Sequence, residues 1–385
     1  MATGTNLQYY HFIDAMRAVL ISLGVVLHAA QIYNPAGLWI VSSDDTTWVA
    51  GQLVDVIHVF RMPAFFLVSG FLAAMSLGKS SSRSFVVTRL RRIGIPLISA
   101  IVCLNTTQAL LLTWAGIRDY SILSFLGSSE LLSHLWFLVN LIVYFVVSAG
   151  AWVVLRPLLV RLADRLARAA AGTQIAILLA LLPILDILVL GLGKLGVPIY
   201  ATVFNVLSVY EIFVYVPYFL VGLYLYSDRS ALQRLAAVPV SFTMTLIAGI
   251  TFLLAAGAGS DAGPAWDILT TYGLKLRVWA ALALCLRVFY VFFDKPSTGM
   301  RAIADASYTI YLVHHVLVVA LGIAFLQVSL PPALELCLVV VLTGVFARAL
   351  HSHVVACSLL LLWLFNGRTV RHVSYRAEPE AVVPK

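Results

Sequence analysis

The chain has 385 residues, of which 62% are hydrophobic and only 11% carry a formal charge, with a net charge of +8. An ordinary soluble domain is about 25% charged, and so few charges cannot cover the surface of a water-soluble fold. The composition excludes a soluble enzyme, a disordered chain and a nucleic-acid binder, and it predicts an all-α, polytopic membrane bundle.

A spanning helix takes about 20 apolar residues, and that length predicts about ten of them. In chain order they cover residues 13–33, 49–77, 93–115, 135–155, 174–191, 206–226, 237–257, 271–293 and 306–326. The last lies within 333–365, a stretch too long for one straight span, which must tilt or run past the membrane. The loops between them alternate in charge. Lys79, Arg83, Arg89, Arg91 and Arg92 follow the second span, and Arg156, Arg161, Arg165 and Arg168 the fourth. Arg229 and Arg234 follow the sixth, Lys295 and Arg301 the eighth, and Arg368, Arg371, Arg376 and Lys385 lie in the tail. The intervening loops hold Arg118 and Lys194 as their main cations. Basic loops stay on the cytoplasmic side, so both termini are expected there. One transmembrane domain is expected over 1–365, with a short cytoplasmic tail at 366–385. The first apolar run carries Asp14 and Arg17 at its entrance and outlasts a cleavable signal peptide. Cys103, Cys285, Cys337 and Cys357 sit in apolar runs with no metal-like spacing, and read as packing residues. No bound metal or resident cofactor is expected.

The charges left inside the spans carry the functional information, because ionisable groups in hydrocarbon normally face a bundle interior or a wet cavity. In the first span, Arg17 and His28 are eleven residues apart. At about 100° per residue they lie about 20° apart in azimuth and roughly 16 Å apart along the axis. In the second span, Gln52, Asp55, His58 and Arg61 recur every three residues and read as a polar stripe. His58 enters from the outer side and reaches a depth comparable with His28. Ser69 and Gly70 follow in the same span. Tyr308, Tyr311, His314 and His315 cluster in the ninth span, where adjacent histidines point two ways, so at most one is expected to face a site. Glu130, His134 and Trp136 stand before the fourth span, and Glu211 early in the sixth.

Each group also has a structural reading. A lone intramembrane histidine is often bonded to a backbone carbonyl. Arg17 can snorkel to the inner surface, and the Asp55–His58–Arg61 stripe can be a charge-balanced helix contact. Ser69 and Gly70 fit helix packing. Arg89, Arg91 and Arg92 fit topology and headgroup contacts, and Trp136 fits an interfacial aromatic belt.

At these residues the chain resembles acyltransferase family 3, the integral membrane acyltransferases. Arg17 and His28 match that family's arginine, ten residues, then histidine. FRMPAFFLVSGF from Phe60 and RLRRIGIP from Arg89 resemble its second- and third-helix segments. SHLWFLV from Ser133, VPYFLVG from Val216 and IYLVHH from Ile310 bring it nearest to members that succinylate osmoregulated periplasmic glucans. The resemblance implies a multi-pass protein of the bacterial inner membrane. It would carry a succinyl group from cytoplasmic succinyl-CoA to glucose hydroxyls of a periplasmic beta-glucan.

On that footing His28 is expected to be the general base, with His58 and Asp55 in support. Arg17, Arg61, Arg89, Arg91, Arg92 and Ser69 are expected on the donor side. Tyr311, His314, His315, His134, Trp136 and Glu211 form an acceptor or structural site. An acyl-histidine route at His28, an acetyl-CoA donor, another polysaccharide acceptor, and a proton-coupled glycan transporter remain the alternatives.

Overall fold

α1 (His11–Ile32) is the central post of the bundle. It touches α2 (Trp48–Leu77), α9 (Pro264–Phe293), α10 (Thr298–Phe325) and α11 (Pro332–Leu350). Phe12, Met16, Leu20 and Leu27 bury almost completely against these neighbours. Between α2 and α9 in the chain lie α3 (Ser82–Trp114), α4 (Trp136–Leu166), α5 (Ala171–Lys194), α6 (Val209–Ser227), α7 (Arg229–Ala236) and α8 (Val240–Ala256). A short α12 (Leu359–Asn366) ends the fold. This computed structural model describes residues 10–368 apart from 38, 167, 169–170, 204–205 and 258–262. Arg371, Arg376, Lys385 and the rest of the predicted tail beyond Arg368 lie outside the described residues.

Eight helices among the described residues are long and apolar enough to cross a membrane. The pair Arg229–Ala236 and Val240–Ala255, bent by 72°, makes a ninth if counted as one span. α5, the predicted fifth span, is a further helix of 24 residues. The described strand structure is one two-residue antiparallel ladder, Thr202–Val203 with Leu207–Ser208. Trp114, Val153, Leu188 and Phe252 stand exposed on the outer faces. Such a surface suits lipid and is rare on a soluble monomer. The chain is a multi-pass membrane protein.

Several expected loops are helix. α4 runs on to Leu166 and takes in Arg156, Arg161 and Arg165. Arg229 and Arg234 belong to α7, whose first turn is capped by Asp228 accepting the Ala231 N–H. α3 begins eleven residues before its predicted start, at Ser82, with Ser81 as its cap. It carries RLRRIGIP through a π-turn at Leu90–Gly94 and holds a second π-turn at Ile101–Asn105. In each case helix propagates through arginine at little cost, since arginine is a good helix former. The last predicted stretch does not tilt as one rod. α11 passes into a π-turn at His351–Val355, and α12 starts afresh from its Ser358 cap.

The closest helix contact joins α2 to α6. A Cβ on Gly70 would stand 2.1 Å from the Phe219 carbonyl oxygen, and one on Gly222 would stand 2.0 Å from that of Leu67. Small residues that let backbones meet are the usual device for joining helices in lipid, so Gly70 is a packing residue. On the far side of α6, buried Asp186 of α5 accepts hydrogen bonds from Tyr218 Oη at 3.2 Å and Trp279 Nε1 at 3.1 Å. That carboxylate ties α5, α6 and α9 together.

Candidate functional site

Four histidines from three elements meet at one end of α1. His28 comes from α1, His314 and His315 from α10, and His134 from the short turn Ser133–Leu135 before α4. Ring centroids lie 4.8 Å apart for His28 and His315, and 5.4 Å for His28 and His314. They lie 4.7 Å apart for His134 and His315, which stack. Two backbone features permit the meeting. Gly24 sits one turn below His28, and a Cβ there would be 2.9 Å from Arg61 Nη2 and 3.4 Å from His314 Nε2. Ser133 adopts a positive φ of 46°, a conformation that costs a non-glycine residue about 1–3 kcal/mol and marks constrained sites. It turns the chain so that His134 enters the cluster.

Hydrogen bonds set the tautomers. Gln31 Oε1 can only accept, so His28 Nδ1 carries the proton in their 2.8 Å bond. His28 Nε2 is thereby left with its lone pair. His315 Nδ1 donates to Gln108 Oε1 at 2.6 Å, and His314 Nδ1 to the Tyr311 carbonyl at 2.7 Å. His134 Nε2 donates to the same carbonyl at 3.1 Å, and the Tyr311 hydroxyl returns a bond to the His134 carbonyl at 2.9 Å. This leaves His134 Nδ1 and His314 Nε2 as buried acceptors with no partner among the described residues. Among the described residues no three His, Cys, Asp or Glu side chains are placed to share a metal ion.

The cluster forms one wall of a cavity of about 300 Å³. His28, His58, Arg61, His134, Trp136, Glu211 and Tyr311 line it, so seven of the expected residues share one chamber. Trp136, which also fits an interfacial belt, lines the cavity. It stacks on Tyr215 at 5.6 Å, and Tyr215 stacks on Phe66 at 4.6 Å, forming an aromatic wall. Arg61 is 8% exposed. Its Nε donates to the Leu20 carbonyl at 3.3 Å, and among the described residues no carboxylate lies within 4 Å of it.

The remaining expected residues fall elsewhere. His314 and His315, of which at most one was expected to face a site, are both buried in the cluster behind the cavity wall, and neither lines the cavity. As adjacent residues they differ by only about 100° in azimuth, too little to split them between faces when neighbours crowd both sides. Asp55 is exposed, does not line the cavity and makes no hydrogen bond with His58. Three-residue steps lag an α-helix by about 60° each, so Asp55 and Arg61 diverge by about 120°. Ser69 is buried on α2 away from the cavity. Arg17 pairs with Asp14 at 3.3 Å at the opposite end of α1 and lines a second, smaller pocket. Arg89 donates to Ser76 Oγ at 2.7 Å and lies 5.3 Å over the rings of both Phe85 and Phe145. Arg91 is exposed and Arg92 half-buried. Gly367, at a φ of +57°, rests on their backbone, where a Cβ would come within 2.5 Å of Arg92 Cα. Neither arginine lines the histidine cavity or the second pocket.

Sequence reasoning missed Trp39, which stacks on His28 at 5.7 Å from the loop after α1. It also missed Tyr215, Gln31 and Gln108. Gln31, three residues after His28, and Gln108, a buried amide in an apolar run, both carried a readable polar signal. Trp39 carried none.

A family profile described as an acyltransferase domain matches residues 10–351 of this chain. Proteins called Glucans biosynthesis protein C from Salmonella heidelberg and Salmonella schwarzengrund are each 27% identical to it over 328 residues. That from Salmonella typhimurium has the same identity, and the matches cover 81% of this chain and 83% of the relative. No solved structure matches.

Proposed function

The chain belongs to this acyltransferase domain family, and from that premise we propose that it succinylates glucose hydroxyls of periplasmic glucans from cytoplasmic succinyl-CoA, with His28 as general base. The reading places the protein in the bacterial inner membrane with both ends cytoplasmic, as the basic loops favour. It treats 1–365 as the catalytic domain. The glucan rests on the relatives' name, and the succinyl group on the sequence likeness to glucan-succinylating members.

One observation carries the chemistry. His28 is held with its proton on Nδ1 by Gln31, in a cavity that also presents a buried guanidinium with no carboxylate within 4 Å among the described residues. In the proposed step, His28 Nε2 takes the proton of a glucose hydroxyl as its oxygen attacks the thioester carbonyl. The carbonyl oxygen becomes the anion of a tetrahedral intermediate. Arg61 would stabilise it, since a fixed donor acts most strongly where water is excluded. Collapse breaks the C–S bond, and the departing thiolate recovers the proton from His28. The products are a sugar ester and free CoA. The bare acceptor His134 Nδ1 and the Trp136–Tyr215 wall are chemically suited to a hydroxyl-rich ring. Arg17 stands at the end of α1 where the anionic donor would enter.

The test is His28→Ala in purified, normally inserted protein given labelled succinyl-CoA and glucan. Loss of ester-bound label of about 10²-fold or more is expected. Wild-type labelling would sink the proposal, and movement of glucan across the bilayer without an ester would favour a transporter.

A further inference from the structure

The second pocket lies between the start of α1 and the α9–α10 connection, and holds about 60 Å³. That is room for several waters, or for one phosphate-sized group. Arg17, Lys295, Arg301, Arg368 and His11 line it against only two acids, Asp14 and Asp305. Both acids are engaged, Asp14 by Arg17 at 3.3 Å and Asp305 by Arg368 at 3.6 Å. Lys295 and Arg301 have no carboxylate within 4 Å among the described residues. Nearby Asp294 is not part of the lining, and its Oδ1 accepts the Phe12 N–H at 3.3 Å. The pocket therefore has two more arginine and lysine charges than its carboxylates can match.

Its position relative to the histidine cavity is fixed by one helix. Ile21 and His28 line that cavity, while Asp14 and Arg17 line this pocket. All four lie within about 60° of azimuth on α1. The two chambers thus open along one face of the same helix, with Arg17 and His28 roughly 16 Å apart. A ligand with an anionic head and a reactive group on a long flexible arm would span them.

From this we infer that the pocket seats a phosphate group of the donor's nucleotide end, held chiefly by Lys295 and Arg301, while the thioester reaches His28. The inference rests on the acyl-CoA donor proposed above. A lipid headgroup offers the same phosphate chemistry, and the experiment separates the two sources.

Full-length protein is placed in phosphatidylcholine nanodiscs and titrated with adenosine 3′,5′-bisphosphate. Succinyl-CoA and its 3′-dephospho form are compared in the same discs. In the wild type the bisphosphate is expected to bind, and the 3′-phosphate to improve donor affinity about tenfold. Binding should weaken with added salt. The double variant Lys295→Ala, Arg301→Ala alters only exposed side chains. It should lose bisphosphate affinity by about tenfold or more and treat both donors alike. Equal bisphosphate binding by variant and wild type would overturn the inference. So would a variant effect confined to discs containing phosphatidylglycerol, which would assign the pocket to lipid. Ester transfer without phosphate discrimination would overturn the pocket and leave the acyltransferase reading standing. Pocket-dependent bisphosphate binding without any ester product would do the reverse.

Discussion

Replacing Arg61 with Met separates two things that a site arginine usually confounds, stability and catalysis. A buried arginine in the middle of a span costs about 2.5–3.5 kcal/mol on an insertion scale. Among the described residues its one hydrogen bond is the 3.3 Å contact from Nε to the Leu20 carbonyl. Such a charged bond returns about 1.5–3 kcal/mol. No carboxylate within 4 Å among the described residues offsets the remainder. Met keeps an unbranched apolar stem in the same space. Arg61→Met should therefore leave stability unchanged or raise it by about 1 kcal/mol. Catalysis should move the other way. Loss of a positioned donor to the oxyanion is expected to lower kcat by about 10²–10³, or roughly 3–4 kcal/mol, with donor KM little altered. Thermal unfolding of the detergent-solubilised protein reads the first quantity, and ester formation from labelled succinyl-CoA reads the second. Destabilisation by 3 kcal/mol or more would show that Arg61 has a partner in the resting protein. A kcat within threefold of wild type would refute its place at the oxyanion.

Gly222→Ala puts a Cβ 2.0 Å from the Leu67 carbonyl oxygen. α2 and α6 must then separate, and a loss of several kcal/mol is expected in thermal unfolding. Gly150→Ala, with nothing within 4 Å of the added carbon, should be neutral or stabilising by up to about 1 kcal/mol. Ser133→Gly relieves the positive φ of 46° and should raise the melting temperature. A fall would mean that the 3.5 Å contact of Ser133 Oγ with His315 outweighs the strain. Glu130 lies outside the spans, and its carboxyl is raised by burial, with Arg118 opposing. A raised acid binds its proton more tightly in the folded protein, so stability is lost as pH climbs from the ordinary carboxylate range to the raised folded value. Glu130→Gln should flatten that part of a melting-temperature profile against pH.

The bundle was legible because its signal is local. Runs of apolar residues place a span without reference to any neighbour, and each predicted span has a helix. The Arg17–His28 relation was also legible, because both lie on one helix whose pitch is known. What fails is inference that crosses from one helix to another, or assumes a stripe stays straight. Asp55 and Arg61 look like one polar row at three-residue spacing, yet the row winds about a third of the way round α2. Only its inner end is buried. His314 and His315 look divided because successive residues turn by about 100°. α1 lies against one side of them and the Ser133–Leu135 turn against the other, so both are enclosed. Trp39 reaches His28 by the path of a loop, which no periodicity encodes. The basic segment of α3 misled for another reason. Positive charge marks a membrane side whether the chain there is loop or helix, so a basic run does not reveal that Arg89 lies in a helix over two phenylalanine rings.

Arg17 and Arg61 show how depth decides what an arginine is for. Arg17 sits near the end of its helix, pairs with Asp14 one turn away, and keeps a third of its side chain exposed, 37% by area. A guanidinium so placed can exchange its carboxylate for an incoming anion at little cost, because water and a partner are always within reach. That suits a residue at an entrance, where ligands must bind and leave. Arg61 sits mid-helix, with no ion pair to exchange and one carbonyl to bind among the described residues. Its charge is costly when the chamber holds nothing negative and repaid when a negative charge forms there. That asymmetry is the condition for acting on a transition state rather than on a ground state. Under the proposed reaction it would put the chemical weight on Arg61 beside His28, and the recognition of the donor's charge on the pocket that Arg17 lines.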